Sequence, residues 1–137
     1  MEIDQLSSQE AIRYKRQIVI PAFGEKGQKQ LKRASIFIAG LGGLGAVSAY
    51  YLAAAGVGRL KIVDKDHVEL ENLNRQILYS TGDVGRSKTE SAFEKLHALN
   101  PLCCIDAQKA EIRKENALEL IGDSHIIVDA TDNLETL

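Results

Sequence analysis

The sequence has no tryptophan and only two prolines, and its two cysteines, Cys103 and Cys104, are neighbours. Adjacent cysteines cannot frame a disulfide scaffold, and with no second pair there is no zinc-binding spacing. They read instead as two small apolar residues in a strand, one facing each way. No apolar run approaches the roughly 18 residues that a membrane helix needs. Neither sign of charge is in excess: 17 Lys and Arg oppose 19 Asp and Glu, a formal net charge of −2. Such a chain carries no electrostatic footprint for nucleic acid or an anionic membrane. Met1-Glu2-Ile3-Asp4 lacks the basic and then apolar pattern of a secretion signal, so the expected location is cytoplasmic.

What is present fits one soluble domain. The 137 residues are 45% hydrophobic and 26% charged, and a chain of this size buries roughly 68–70% of its unfolded surface. No linker, internal repeat or low-complexity segment divides it, so 1–137 is expected to be a single domain, with 1–33 as its N-terminal helical segment.

Ser7-Ser8-Gln9-Glu10 fits a capping box, which predicts a helix running to about Arg16. Pro21 and Gly24 break it, and Glu25 to Arg33 reads as a second helix. Ser35 to Ala39 is a short apolar run closed by glycine, the pattern of a strand buried on both faces. Small helix-forming residues follow from Leu44 to Ala55, with Gly56 as a C-terminal cap. Arg59 to Val63 predicts a second strand ending at Asp64. Ser87 to Leu99 predicts a helix, Cys103 to Ala107 a strand, Lys114 to Ile121 a helix closed by Gly122, and Ile126 to Val128 a fourth strand. Alternating strands and helices imply an α/β fold: a Rossmann-like parallel sheet with helices on both faces, preceded by two N-terminal helices. The polar stretch from Asp66 to Gly85 has no assignment, and loops that long are usually functional. Because the sequence stops just after its fourth strand, the domain is expected to be cut short.

Gly40-Leu41-Gly42-Gly43-Leu44-Gly45 matches G-x-G-x-x-G between a strand and a helix, the context that makes the motif informative. Glycines let the backbone approach a phosphate, and the amides and dipole at the helix start attract the anion. Asp64 ends the next strand, where an acid can hold ribose hydroxyls. The loop predicts a nucleotide, and by itself it would fit NAD. Charge discriminates. A pyrophosphate carries two negative charges and a triphosphate about four, so a triphosphate needs extra cations or a metal. One cation 4 Å from one phosphate charge contributes about 4 kcal/mol at an effective dielectric near 20, before desolvation. The chain offers Arg75 and Lys88, with Asn72 nearby. Asp132, at the carboxyl edge after the fourth strand, would repel a bare triphosphate but hold a bridging Mg²⁺.

Arg13-Tyr14-Lys15-Arg16-Gln17-Ile18, the Gly40–Gly45 loop, Ala54-Ala55-Gly56-Val57-Gly58, Asn72-Leu73-Asn74-Arg75-Gln76-Ile77-Leu78 and Asp129-Ala130-Thr131-Asp132-Asn133 occur in this order. Together they resemble the ThiF/MoeB/HesA family, relatives of the ubiquitin-activating enzymes, over almost the whole chain. That resemblance implies ATP and Mg²⁺ as ligands and a ubiquitin-like sulfur-carrier protein as partner, whose C-terminal Gly-Gly carboxylate is adenylated. By position, Gly40, Gly42, Gly43 and Gly45 would lie at the phosphates and Asp64 at the ribose. Asn72, Arg75 and Lys88 would contact the triphosphate, and Asp132 would bind the metal. Asp66 and Asn133 join the expected nucleotide contacts. Arg16 would cross a homodimer to the partner's nucleotide, so Arg16, Arg75, Lys88 and Asp132 are the expected catalytic set. Asn74 departs from the Gln of many members. The family's second half, with its tail-binding strands and Cys-x-x-C zinc motifs, lies beyond the sequence. The alternatives are a NAD-dependent oxidoreductase domain, which leaves Arg16, Arg75, Lys88 and Asp132 without work, and a non-catalytic binding or dimerisation module.

Overall fold

The computed structural model describes residues 5–132. The capping box forms as its residues predict: the Ser7 hydroxyl accepts from the Glu10 amide at 3.1 Å, and Glu10 Oε1 accepts from the Ser7 amide at 2.9 Å. The helix it starts, α1 (Ser8–Arg13), ends at Tyr14, and a separate turn, α2 (Lys15–Ile18), follows before α3 (Gly24–Arg33). The expected two N-terminal helices are thus three helical segments. The break has a tertiary cause. Tyr14 is 3% exposed, and its hydroxyl accepts from Asn100 Nδ2 at 2.8 Å, a contact 86 residues away in sequence.

β1 (Ser35–Ala39) leads through the glycine loop into α4 (Gly43–Ala55), which returns the chain to β2 (Arg59–Asp64). The segment after β2 ends in α5 (Lys88–Leu99), then β3 (Cys104–Lys109), α6 (Ala117–Ile121) and β4 (Ile126–Asp129). The strands are all parallel, in the order β3-β2-β1-β4. Helices cover both faces of the sheet. On one face Ile36, Ile38, Leu60 and Ile62 meet Ala46, Ala49 and Ala53 of α4 and Ala92 and Leu96 of α5. On the other, Phe37, Ala39 and Val63 meet Leu120 of α6. The alanines of α4 are both strong helix formers and small enough to bring the helix close to the strands.

The C-terminal end of α4 is tied down by amide side chains. Gln28 Nε2 and Gln17 Nε2 both donate to the Ala55 carbonyl at 2.9 Å, and Gln17 Nε2 also donates to Gln28 Oε1 at 2.7 Å. Asn100 Nδ2 donates to the Ala53 carbonyl at 2.7 Å. Gly56 closes the helix at φ 100°, and a Cβ there would lie 2.5 Å from Gln28 Nε2 and 2.7 Å from the Tyr14 ring. The sequence positions of these amides gave no sign of the network.

The polar stretch between β2 and α5 is ordered rather than structureless. Two short 3₁₀ turns, Leu70–Asn72 and Thr81–Asp83, punctuate it. Val68 and Gly85–Arg86 exchange backbone hydrogen bonds of 2.8 Å, so the segment's two ends are clamped together. Asp83 locks the second turn, accepting from the Ser80 amide at 2.9 Å, the Ser80 hydroxyl at 3.0 Å and Arg86 Nη1 at 3.0 Å.

Two further boundaries differ from expectation. α6 starts at Ala117, because Asn116 first closes a turn on the Arg113 amide and the Glu111 carbonyl. β3 starts at Cys104, so Cys103 sits just before the strand. Cys103 is buried, and burial with the neighbouring Cys104 pushes its thiol up to about 12. Cys104 is exposed.

Candidate functional site

The strand order reverses between β1 and β4, and ligands of open α/β sheets bind at the carboxyl edge of such a reversal. A cleft of about 890 Å³ opens there, within the range of small-molecule sites. It brings together Gly40, Gly42 and Gly43 from the loop after β1, Asp64 and Asp66 from the end of β2, Asn72 and Arg75 from the clamped segment, Lys88 from α5 and Asp132 after β4. Two expected residues lie elsewhere. Arg16 is exposed on α2, away from the cleft. Gly45 is buried beneath the loop, where a Cβ would come within 1.8 Å of the Gly40 carbonyl. Its missing side chain therefore serves helix–strand approach rather than ligand contact. Asn133 lies outside the described residues.

The glycine loop is held from two sides. Asp64 Oδ2 accepts the Leu41 amide at 2.7 Å while Asp64 Oδ1 accepts the Asp66 amide, also at 2.7 Å. From below, the buried Tyr79 hydroxyl donates to the Leu41 carbonyl at 2.8 Å. Burial first, then the nearby Asp64 and Asp83 carboxylates, raises the Tyr79 phenol far above its ordinary range, so it stays a donor at every physiological pH. Leu41 thus has both backbone groups pinned, and the loop is shaped before any ligand arrives. No side chain caps the start of α4, whose first residues, Gly43 and Leu44, line the cleft with Gly42. An uncapped helix start with glycine backbone is a ready anion site.

Lys88 is the least expected side chain in the cleft. It is only 6% exposed, at the start of α5, and among the described residues no hydrogen bond or ion pair engages its ammonium. Lysine is almost never this buried unless paired. A cation held in that state is complementary to an anion that the protein itself does not provide. Arg75 rests its Nη1 on the Glu71 carbonyl and Asn74 Oδ1, both at 3.0 Å, and its aliphatic stem lies against Gly43. Asn72 spends Oδ1 on the Glu69 amide at 2.8 Å, which leaves its Nδ2 uncommitted.

The remaining lining is acidic: Asp64, Asp66, Glu69, Glu71, Glu111 and Asp132 against Lys65, Arg75 and Lys88. Lys65 is partly drawn off by Glu111 at 3.8 Å. Glu111 itself is held below the usual carboxylate range by Arg113, at 2.8 Å, and then by Lys65. A bare polyphosphate would be repelled by this balance, so a divalent ion fits the site. Among the described residues no group of three or more His, Cys, Asp or Glu could hold such an ion alone. Mg²⁺ does not need one, since it is commonly held by one or two carboxylates together with substrate phosphates. Asp132, exposed and adjacent to the Asp129–Thr131 turn, is placed to supply one.

Of the residues at the site that were not singled out from the sequence, two are buried polar side chains beside the glycine loop. Tyr79 supports the loop, and Gln76, 4% exposed, lines the cleft beside Gly42. Neither residue type carries a signal in isolation. Burial of a polar side chain is visible only once the chain is folded.

A family model described as the ThiF family matches residues 14–137. The sulfur carrier protein adenylyltransferase of Thermus thermophilus is 47% identical over 130 residues, covering 95% of this chain and 48% of that protein. The probable adenylyltransferase/sulfurtransferase MoeZ of Mycobacterium tuberculosis is 45% identical over 131 residues, covering 96% of this chain and 33% of its own. Among solved structures, Escherichia coli tRNA N6-threonylcarbamoyladenosine dehydratase in complex with ATP superposes with a TM-score of 0.90 at 27% identity, over 96% of this chain and 54% of the other. The chain therefore spans about half or less of the length of these relatives.

Proposed function

The chain belongs to the ThiF family, and on that premise we propose that it is the nucleotide-binding half of an enzyme that adenylates the C-terminal carboxylate of a ubiquitin-like sulfur-carrier protein. The observation that carries the proposal is Lys88: a buried, unpaired cation facing the same cleft as an uncapped, glycine-lined helix start.

In this reading Gly42 and Gly43 admit the phosphates to the amides of α4. Asp64 keeps lone pairs beyond its two backbone bonds, and these accept the ribose hydroxyls. Lys88, Arg75 and the Nδ2 of Asn72 neutralise and orient the phosphate chain. Mg²⁺, when bound through Asp132, would screen the remaining phosphate charge. A carboxylate oxygen of the carrier's terminal glycine attacks the α-phosphorus, the bond from that phosphorus to the bridging oxygen breaks, and pyrophosphate leaves with the electron pair. The carboxylate is already ionised, so no protein base is required. The chain contributes positioning and fixed positive charge, the two terms that dominate displacements of this kind.

Arg16 has no place in its own cleft, which accords with a role on a second copy in a homodimer. The setting is cytoplasmic, where ATP is abundant. Among the described residues no helix is long and apolar enough to cross a membrane.

The test is carrier-dependent exchange of labelled pyrophosphate into ATP by the full-length protein. Exchange that requires a carrier ending in Gly-Gly supports the reading. ATP binding with no exchange in the presence of carrier proteins would instead indicate a binding module.

A further inference from the structure

Gln76 is 4% exposed and lines the cleft, and the two ends of its carboxamide face different surroundings. Oε1 is turned into the protein, sealed from solvent and without a donor. Nε2 is the end that reaches the glycine loop, 3.7 Å from where a Cβ on Gly42 would be. Among the described residues no group accepts from it. The contrast with Gln28 is direct. That glutamine is also buried, yet its Nε2 donates to the Ala55 carbonyl and its Oε1 accepts from Gln17. A hydrocarbon side chain of the same length would fill the Gln76 position without the penalty of an unmatched buried oxygen. What the carboxamide adds over such a side chain is its open pair of N–H groups.

Those N–H groups donate and cannot accept, so the missing partner is an acceptor. Three successive loop residues meet three different side chains, and their order places that acceptor along a bound nucleotide. Leu41 is held by Asp64, the residue assigned above to the ribose. Gly42 faces Gln76, and Gly43 faces the stem of Arg75, assigned to the phosphate chain. Between the ribose and the outer phosphates lies the α-phosphate, and the second glycine of such loops is the one that lets phosphate come close. We propose that Gln76 Nε2 donates to a nonbridging oxygen of the α-phosphate, the phosphorus at which adenylation occurs. This rests on the adenylation reading above and adds a residue to its reacting centre. A donor fixed there by burial holds the phosphorus in line for the entering carboxylate. It stays bonded to an oxygen that carries the transferred group's charge throughout the displacement.

The experiment pairs a side-chain change with an atom change in ATP, using the full-length protein and its carrier. Gln76→Met removes the donor and keeps the length. Gln76→Glu keeps the shape and sets a negative charge against the phosphate. The ligand-free midpoint of thermal unfolding checks that each variant is folded, and either one suffices. A hydrogen bond to a charged group corresponds to about 10- to 100-fold. Gln76→Met is expected to slow carrier-dependent pyrophosphate exchange by about that factor, and Gln76→Glu by at least as much. ATP with sulfur in place of one or the other nonbridging α-oxygen identifies the contact. For one of these two diastereomers the sulfur penalty is expected to be smaller in the variant than in the wild type, by about 2-fold or more. The other diastereomer, and ATP carrying sulfur on the γ-phosphate, should lose the same factor with both proteins. Equal sulfur penalties in both proteins at both α-positions would overturn the assignment while leaving adenylation intact. A variant whose only defect is a raised carrier KM would also overturn it, giving Nε2 to the carrier's carboxylate instead. Absence of exchange by the wild type with ordinary ATP and carrier would overturn the adenylation reading itself, and this inference with it.

Discussion

At the C-terminal end of α4 the carbonyls of Ala53 and Ala55 accept from Asn100, Gln17 and Gln28, every one of these amides paired within the fold. At its N-terminal end no side chain caps the helix, Lys88 is buried without a counter-ion, and Gln76 is buried with its Nε2 unpaired beside Gly42. One helix thus separates a region whose polar groups complete each other from one whose polar groups await something. The difference distinguishes buried polar residues that hold a fold from those that hold a ligand. It does so without reference to residue type, since Gln28 and Gln76 are the same amino acid with opposite status.

Substitutions at the two ends should respond oppositely. The largest effect is expected from Lys88→Ala, which should lower carrier-dependent exchange by about 10²–10³, in line with removal of a charge-stabilising group. Because an unpaired buried cation is itself unfavourable, the ligand-free midpoint of thermal unfolding should hold or rise. A loss of exchange accompanied by a lower midpoint would return Lys88 to the structural category. At the other end Gly56→Ala should destabilise by about 3 kcal/mol, combining a strained positive φ with a Cβ pressed on Gln28 and Tyr14. Urea denaturation measures it, and a change below about 1 kcal/mol would mean the cap region is not close-packed.

A smaller effect concerns acid. Burial raises the Asp83 carboxyl, but hydrogen bonds from Ser80, aided by Lys95 and Arg86, outweigh it and hold Asp83 below its ordinary range. A depressed folded value means the stabilisation is complete above the unfolded carboxylate value of about 3.9. It is lost as pH falls through the lower folded one. Stability measured between pH 5 and 2 should therefore fall less steeply in Asp83→Asn than in the wild type. An identical slope would show that this buried cluster does not titrate with folding.

Much of this was legible in the residues. β1 (Ser35–Ala39) carries its own pattern, an apolar run closed by glycine, and α5 has its Ser87 cap, seen in the bond from the Glu90 amide at 3.1 Å. Asp64 and Asp132 could be named because each stands at the carboxyl edge of a strand that the alternation of strands and helices defines, and Asn72, Arg75 and Lys88 because a triphosphate needs added positive charge and because the family resemblance covers their motif. What stayed hidden depends on distant partners. The break at Tyr14 is made by Asn100, and the order in the segment between β2 and α5 by the Val68 pairing with Gly85 and Arg86. Gly45 was assigned to the phosphates from its motif, yet the motif holds glycines for two reasons, and only the fold separates ligand approach from helix packing. Gln76 lacked any signal because an unpaired amide is a property of a neighbourhood.

The central claim is that the unpaired end of α4 is a triphosphate site, and ligand-dependent thermal unfolding addresses it most directly. ATP with Mg²⁺ at about 100 times its dissociation constant stabilises by roughly 2.7 kcal/mol, a rise of about 5 °C or more for a domain of this size. The account predicts that rise with ATP and Mg²⁺, little or none with NAD, and its loss in Lys88→Ala. A rise with NAD that survives Lys88→Ala, and none with ATP and Mg²⁺, would contradict it.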